Sequence, residues 1–519
     1  MEQRNDTWVD KRTGWWVLCA TILASSMAFI DFSALNVALP AIQSSLGARG
    51  SELLWVVNGY NLMLASLILV GGSLGDRFGR KKVFTGGILL FTLSSVFCGL
   101  SPSITALIAG RVVQGIGGSL MIPGSLALIT ASFGPDRRGR AIGTWSAVTT
   151  IMMVAGPVIG GFLAQYSLWR LVFFINVPLS AVALIALFLY VPESRDTGVS
   201  QRIDIIGASL ATVSLVGLAY GFTAASELGF KNPRIILSLG VGFFALVGFI
   251  VAEKRSADPM VPLRLFRSPT FSGANLLTLF LYGALAAYTL FLSLNIIQVQ
   301  GYRESIAGLV LLPFIFLLAG LSRFAGRLVD RIGPRLLLVA GPFLVGIGFF
   351  LTAFAGLTEG PQDYWRSFFP AILFFGAGMG LTVAPLTTTV MSAHSARFAG
   401  TASGINNAIS RIAGVLAIAI LGSIALIGYR NAVAAQTAGI DLPQPVRAEL
   451  MDQALKFGAA SVPGSVPEEL TGEVDRSIRT AFVSTFAVLM YICSGLAWLS
   501  ALVAGILVRR NVKGSAAEG

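Results

Sequence analysis

Charge is what this sequence has least of. Only 12% of its 519 residues are Asp, Glu, Lys or Arg, about half the share usual in soluble domains, which argues against a water-soluble fold. Histidine is nearly absent too: His394 stands alone near the end of an apolar stretch, where it reads as structural and not as a metal ligand, and no Ser/His/Asp or Cys/His set is expected around a histidine placed there. No lysine is followed by Ser or Thr, which removes the Gly-rich phosphate loop of a nucleotide-driven pump. Cys19, Cys98 and Cys493 lie far apart inside apolar stretches. They have neither metal spacing nor a disulfide framework and read as small buried hydrophobes. The expectation is a protein that needs no metal or cofactor and is not an enzyme.

What is present is apolar length. Hydrophobic residues make up 55% of the chain, and fourteen stretches, from 14–39 to 481–508, reach the ~20 residues a helix needs to cross a bilayer. The fold class expected is an all-α polytopic membrane protein. The first stretch is too long for a cleaved leader and is expected to stay as an anchor. The net charge of +12 would suggest nucleic acid in a soluble protein, but its distribution argues otherwise. With the N-terminus inside, 23 Lys and Arg fall on the inner side and 6 in the short outer loops. That is a positive-inside bias, so both termini are expected in the cytoplasm and the partner is lipid, not nucleic acid. Arginine far outnumbers lysine and no organelle address is present, which favours a bacterial plasma (inner) membrane.

One element occurs twice. Gly72, Leu74, Asp76, Arg77, Gly79, Arg80, Lys81 and Lys82 follow one helix, and Gly326, Leu328, Asp330, Arg331, Gly333 and Arg335 follow another, 254 residues and eight helices later. A duplication of six-helix halves needs only six, so two helices stand between the halves, most simply the seventh and eighth. This divides the chain into a tail (1–13), an N-terminal half (14–192), two inserted helices with their linkers (193–268), a C-terminal half (269–509) and a second tail (510–519). The inserted helices are nearly free of polar side chains and are expected to face lipid or core, not a water-filled path. A long outer loop, 428–480, interrupts the second half. Val446, Leu450, Ala454 and Phe457 recur within it at helical spacing and predict a short amphipathic helix, serving either as a lid or as a passive insert. Duplicated helical units with a substrate site between them are a common plan of secondary transporters.

The motifs sharpen this. Helix 1 carries Ile30, Asp31, Asn36 and Pro40; helix 2 carries Trp55, Asn58, Tyr60 and Leu62. Helix 4 carries Arg111, Gln114, Gly115 and Gly117; helix 5 carries Gly156, Pro157, Gly160 and Gly161; helix 6 opens with Trp169, Arg170, Asn176 and Pro178. In this order they resemble the major facilitator superfamily, in its fourteen-helix drug:proton antiporter branch. The resemblance covers essentially the whole chain. It implies the major facilitator fold, export driven by the proton gradient, and a conformational latch at Gly72, Asp76, Arg77, Gly79 and Arg80 with its counterpart at Asp330, Arg331 and Gly333. Asp76 is expected to accept hydrogen bonds from a neighbouring helix N-terminus and brace the halves, unless the motif only anchors topology. Gly156, Pro157, Gly160 and Gly161 resemble the antiporter motif of exporters. Proline removes a helix hydrogen bond and glycine admits a close backbone neighbour, which suits a bendable helix where halves rock.

Intramembrane charge carries most of the chemistry, because each such group is costly in lipid. Asp31 is the only acid well inside a helix of either half. At ~1.5 Å per residue it lies about 12 Å below the outer end of helix 1, Arg111 about 10 Å deep, and Arg411 about 12 Å deep. Arg323 lies near the inner end of helix 10 and is expected to brace the second signature. A carboxylate alone in this layer takes up protons, whereas one beside an arginine is held ionised. Proton coupling is therefore expected at Asp31, Arg111 and Arg411. Depth does not choose between the two arginines as partner of Asp31; the resemblance favours Arg111. The substrate cavity is expected at Asn36, Asn58, Tyr60, Gln114, Asn275, Asn295, Gln298, Asn406 and Asn407, with Gln300 adding hydrogen bonding. One acid among arginines and amides suits neutral, zwitterionic or anionic amphiphiles better than dications. Partners would be a small-molecule substrate, protons and, in a Gram-negative host, a periplasmic adaptor and outer-membrane channel. A dedicated exporter of one natural product, siderophore or lipid-like metabolite is the alternative to a drug exporter.

Overall fold

The computed structural model describes residues 11–194, 204–256, 259–394 and 399–509. Among them there is no strand, and fourteen helices are long and apolar enough to cross a membrane. They are α1 (Lys11–Leu46), α2 (Gly50–Phe78), α3 (Arg80–Leu100), α4 (Ile104–Ser132), α5 (Pro135–Gln165), α6 (Leu171–Tyr190), α7 (Ile205–Leu228), α8 (Pro233–Arg255), α9 (Pro269–Leu294), α10 (Leu312–Ile332), α11 (Pro334–Thr352), α12 (Phe369–Ser392), α13 (Ala399–Gln436) and α14 (Glu468–Leu507). Their starts follow local rules. Ser103, Asp204 and Ser268 each accept a backbone N–H of the first turn, and Pro233, Pro269 and Pro334 occupy a first-turn position where no helical N–H is needed.

The duplication is visible in the packing. In the first half α1 packs on α5 and α6, and α4 packs on α2 and α3. In the second, eight helices on, α9 packs on α13 and α14, and α12 on α10 and α11. The turn between the signature helices repeats as well. Gly79 and Gly333 have φ of +110° and +79°, where a side chain is strained. At Gly79 a Cβ would also meet the Glu193 carboxylate at 2.7 Å.

The inserted pair is more than a lipid-facing appendage. α7 and α8 pack on each other, and α7 wedges between α2 and α13 through Leu215 and Ala219 against Leu62, Ala65, Val415 and Ala419. At its end Glu227 accepts a hydrogen bond from Ser51 and pairs with Arg49 at 3.7 Å. α8 shows Leu237, Phe243 and Phe244 outward, as a helix in lipid does.

Two helices run past the predicted edges. α13 continues to Gln436 and α14 begins at Glu468, so the intervening segment is 437–467 instead of 428–480. Hydropathy stops at the hydrocarbon edge, whereas the polar turns around Arg430 and Glu473 continue the helices beyond it. A helix at Gln444–Gln453 and a 3-10 turn at Ala454–Ala459 follow, with Val446, Leu450, Ala454 and Phe457 all buried. Phe457 packs on Phe291, Tyr429 and Phe482 of the C-terminal half.

The halves are closed at the end opposite the basic signatures. There Gln43 donates to the Lys456 carbonyl at 2.7 Å and accepts from Gln298 at 2.7 Å. A Cβ on Gly161 would collide with the Glu304 backbone, and one on Gly308 with that of Pro157. At the basic end the long faces of α5 (Arg140, Gly143, Thr144, Ala147) and α10 (Phe316, Gly320, Arg323, Arg327) are exposed, and among the described residues no hydrogen bond links them. The molecule is open toward its basic end.

Candidate functional site

The chemistry converges at mid-height in the N-terminal half. Asp31 of α1 and Arg111 of α4 are 0% and 1% exposed. Arg111 Nη1 donates to Asp31 Oδ2 at 2.5 Å and to Gln114 Oε1 at 2.7 Å, while Gln114 Nε2 donates to Asp31 Oδ1 at 3.0 Å. Arg111 and Gln114 share a face because they are three residues apart on one helix. Arg111 Nε also donates to the Val56 carbonyl at 3.2 Å, and its guanidinium lies 4.5 Å from the centre of the Tyr60 ring. Both carboxylate oxygens are thus satisfied and the cation is covered on a π face, the arrangement that keeps a buried pair charged.

Arg111, not Arg411, is therefore the partner of Asp31. Arg411 makes no hydrogen bond or ion pair among the described residues. Gln114, expected in the substrate cavity, belongs to the ion-pair network. Its place three residues after Arg111 directs it there.

The glycine- and proline-bearing run 156–161 lies against this pair. A Cβ on Gly156 would strike Ser33 Oγ, and one on Gly160 the Ala34 backbone, so α5 touches α1 within one turn of Asp31. Gly161 and Pro157 instead meet segment 304–308 of the other half. One short run thus joins the helix bearing the acid to the closed end. Gly161→Val should wedge that end apart and lower transport at least tenfold, with a cysteine at the buried Ala164 becoming reactive from that side. Transport at the unsubstituted rate would show that the contact is dispensable.

The remaining cavity candidates separate. Asn36 is buried five residues after Asp31, and Asn58 is buried with neither side-chain atom partnered. Asn406 donates to Asn275 at 3.0 Å and to Thr278 at 2.7 Å, a strut between α13 and α9, while Asn407 is exposed. Asn295 and Gln298, expected in the cavity, lie instead in a π turn ending α9 at the closed end, where Gln298 is part of the seal. Gln300 caps a loop there through Gly356 and Thr358. A cavity of about 670 Å³ at this end is lined by Ser44, Gln165, Trp169, Gln298, Glu304 and Ala459.

At the basic end Asp76 accepts from Arg80 Nε and Nη2, both at 2.8 Å, within its own half. The expected contact with a helix N-terminus is made by Glu193 instead, which accepts from the backbone N–H of Lys81 and Lys82 at 3.0 and 3.2 Å, as an anion at the start of α3 should. Sequence reasoning missed Glu193; its only signal was an acid just after helix 6 among basic loops. Gly72 faces Pro123 of α4, and Arg77 lies over the Phe78 ring. Arg331 is exposed, and the Asp330 side chain lies outside the described residues. Arg323 is exposed with no bond to the second signature among the described residues.

Comparison with known proteins places this geometry. The family model described as Major Facilitator Superfamily matches residues 21–418. The chain is similar to the multidrug resistance protein Stp of Mycobacterium tuberculosis, at 34% identity over 88% of this chain and 84% of that protein. It is similar to the tetracenomycin C resistance and export protein of Streptomyces glaucescens, at 30% identity over 94% and 91%. Its fold resembles the inward-facing, unoccupied crystal structure of a bacterial homologue of the human lysosomal transporter Spinster, with TM-score 0.66, 20% identity, and 95% and 98% of the two chains covered. The chain belongs to the Major Facilitator Superfamily, with the fourteen helices of its drug-exporter branch, and is a transporter, not an enzyme.

Proposed function

We propose that this protein is a proton-coupled antiporter that exports amphiphilic small molecules by alternating access. The observation that carries the reading is the sealed Asp31–Arg111–Gln114 network, built around the one mid-helix acid of either half. The names of the relatives support export of antibiotics or drugs. The positive-inside bias supports a bacterial inner membrane with the basic end and both termini in the cytoplasm, so the conformation is inward-open. No nucleotide or cofactor is needed, since the proton gradient supplies the work.

In this state Asp31 is charged and paired, and substrate enters from the cytoplasmic side. Rocking of one half against the other parts the contact of Pro157 and Gly161 with segment 304–308, opens the outer end and lets a proton reach Asp31. Protonation removes the charge that Arg111 neutralises, the pair loosens, and substrate leaves outside. Return to the inward-open state re-forms the pair and releases the proton to the cytoplasm. A state is selected only through such a difference in interaction between conformations.

The test is uptake into everted membrane vesicles across a chemically diverse panel, with the proton gradient imposed and then collapsed. Gradient-dependent accumulation of many scaffolds supports the drug exporter, one scaffold supports the dedicated exporter, and accumulation indifferent to the gradient defeats the coupling. An adaptor and outer-membrane channel join the proposal only in a Gram-negative host.

The latch gives a second test. In this open state Asp76 pairs with Arg80 inside its own half; its charge braces the two halves once the basic end closes, so Asp76→Asn destabilises that closed state and should shift the population further toward inward-open. A cysteine at Thr144, in a background lacking Cys19, Cys98 and Cys493, should then label several-fold faster from inside. Unchanged labelling from both sides would reduce the motif to a topology anchor.

A further inference from the structure

The layer that holds Asp31 contains one charge the coupling reading does not use. Arg411 lies twelve residues into α13, about 18 Å from the inner end, at the depth of Asp31. It is partly exposed, and Asn407, one turn before it on the same face, is exposed. Asp31 is engaged by Arg111 and Gln114 and makes no bond to it among the described residues. No other acid lies at this depth in either half. The layer therefore carries one uncompensated positive charge, in a setting where such a charge is costly unless paired.

A second group points to the same place. Tyr60 of α2, a helix that packs on α13, lies in one cluster with Ala408, one turn from Arg411. Its hydroxyl is buried, with the residue 1% exposed, and has no hydrogen-bond partner. Its ring is already engaged by Arg111, which fixes the side chain and leaves the hydroxyl free to donate. An unpaired guanidinium and an unpartnered phenol thus stand on facing helices of the two halves, in a molecule open to the cytoplasm.

We propose that Arg411 and Tyr60 form the receptor for the carboxylate of an acidic amphiphilic substrate. This rests on the transport reading above and gives it a substrate class. The planar fork of a guanidinium matches the two oxygens of a carboxylate, and one negative charge brings the layer to neutrality. A dianionic phosphate would overshoot it, and a cationic drug would add to an existing excess. Leu69 of α2, partly exposed at the edge of the Tyr60 cluster and against Gly404 of α13, supplies apolar surface on the way to the charge.

The experiment is equilibrium binding to the full chain in nanodiscs, without any gradient. The probes are 11-(dansylamino)undecanoic acid, its primary amide, and the matching trimethylammonium compound, each with empty nanodiscs of the same lipid as reference. The acid should bind at least about tenfold more tightly than the amide, about 1.4 kcal/mol, and the cation most weakly. Arg411→Gln should remove the difference between acid and amide, Arg411→Lys should keep part of it, and Tyr60→Phe should reduce it. An amide or cation bound as tightly as the acid by the unsubstituted protein overturns the proposal, whether or not the Gln variant folds. So does a preference that survives Arg411→Gln or appears equally in empty nanodiscs. Failure of proton coupling would look different: the preference for acid would remain while gradient-driven uptake was absent.

Discussion

Asp31→Asn should reduce proton-driven export to the level of passive leak while the protein stays folded in the membrane. Asparagine is nearly isosteric, and its amide oxygen still accepts from one of the two donors that Asp31 holds at 2.5 and 3.0 Å. Arg111 keeps the Val56 carbonyl, Gln114 and the Tyr60 face. What disappears is the one carboxyl of this layer, the group proposed to carry the proton. Without it, substrate can equilibrate down its own gradient but cannot be driven against it. Uptake into everted vesicles with an imposed proton gradient measures this directly, and exchange of labelled for unlabelled substrate without a gradient shows that the site survives. Undiminished uphill transport by the variant would remove Asp31 from the coupling mechanism.

Arg111→Gln should have the second largest effect, of a different kind. Taking one partner from a buried ion pair costs about 3–5 kcal/mol, because the other is left charged and uncompensated. Asp31 escapes that cost by taking up a proton and holding it. A proton so held is no longer exchanged, so proton-driven turnover should fall at least tenfold. The double variant Asp31→Asn/Arg111→Gln should be more stable than the two single losses predict, since residues in one network are not additive. Arg411→Gln should leave the coupling to the gradient in place, because Arg411 has no bond to Asp31 among the described residues. Undiminished proton-driven turnover in Arg111→Gln would remove that arginine from the coupling mechanism.

The two variants probe what the order of residues could and could not say. Asp31, Arg111 and Arg411 stood out as intramembrane charges on composition and helical rise alone. Their depths agree to within a few ångströms, so depth gave no reason to prefer either arginine. The choice depends on how α1 and α4 are rotated about their axes, and rotation is set by side chains and close backbone contacts such as Gly160 on Ala34. The same cause explains why Gln114, an amide expected in the cavity, belongs to the pair, and why Asn295 and Gln298 lie at the closed end. Hydrogen-bonding capacity is a property of residue type; its direction is not.

Some features needed no partner to be legible. Fourteen apolar spans, the duplicated signature, the bias of basic residues to one side and the lone acid of helix 1 follow from composition and from the length a bilayer demands. Gly79 and Gly333 belong to this group, because a positive φ is a demand of the local turn, alike in both copies. The burial of Val446, Leu450, Ala454 and Phe457 was legible from helical period for the same reason. The tertiary structure alone decided the partner of Asp31, the place of Glu193 at the start of α3, the wedge of α7 between α2 and α13, and which end of the molecule is closed. These depend on contacts between segments far apart in sequence, where small changes in helix tilt and rotation exchange one neighbour for another at little cost in burial, and one chain's residue order does not encode them locally.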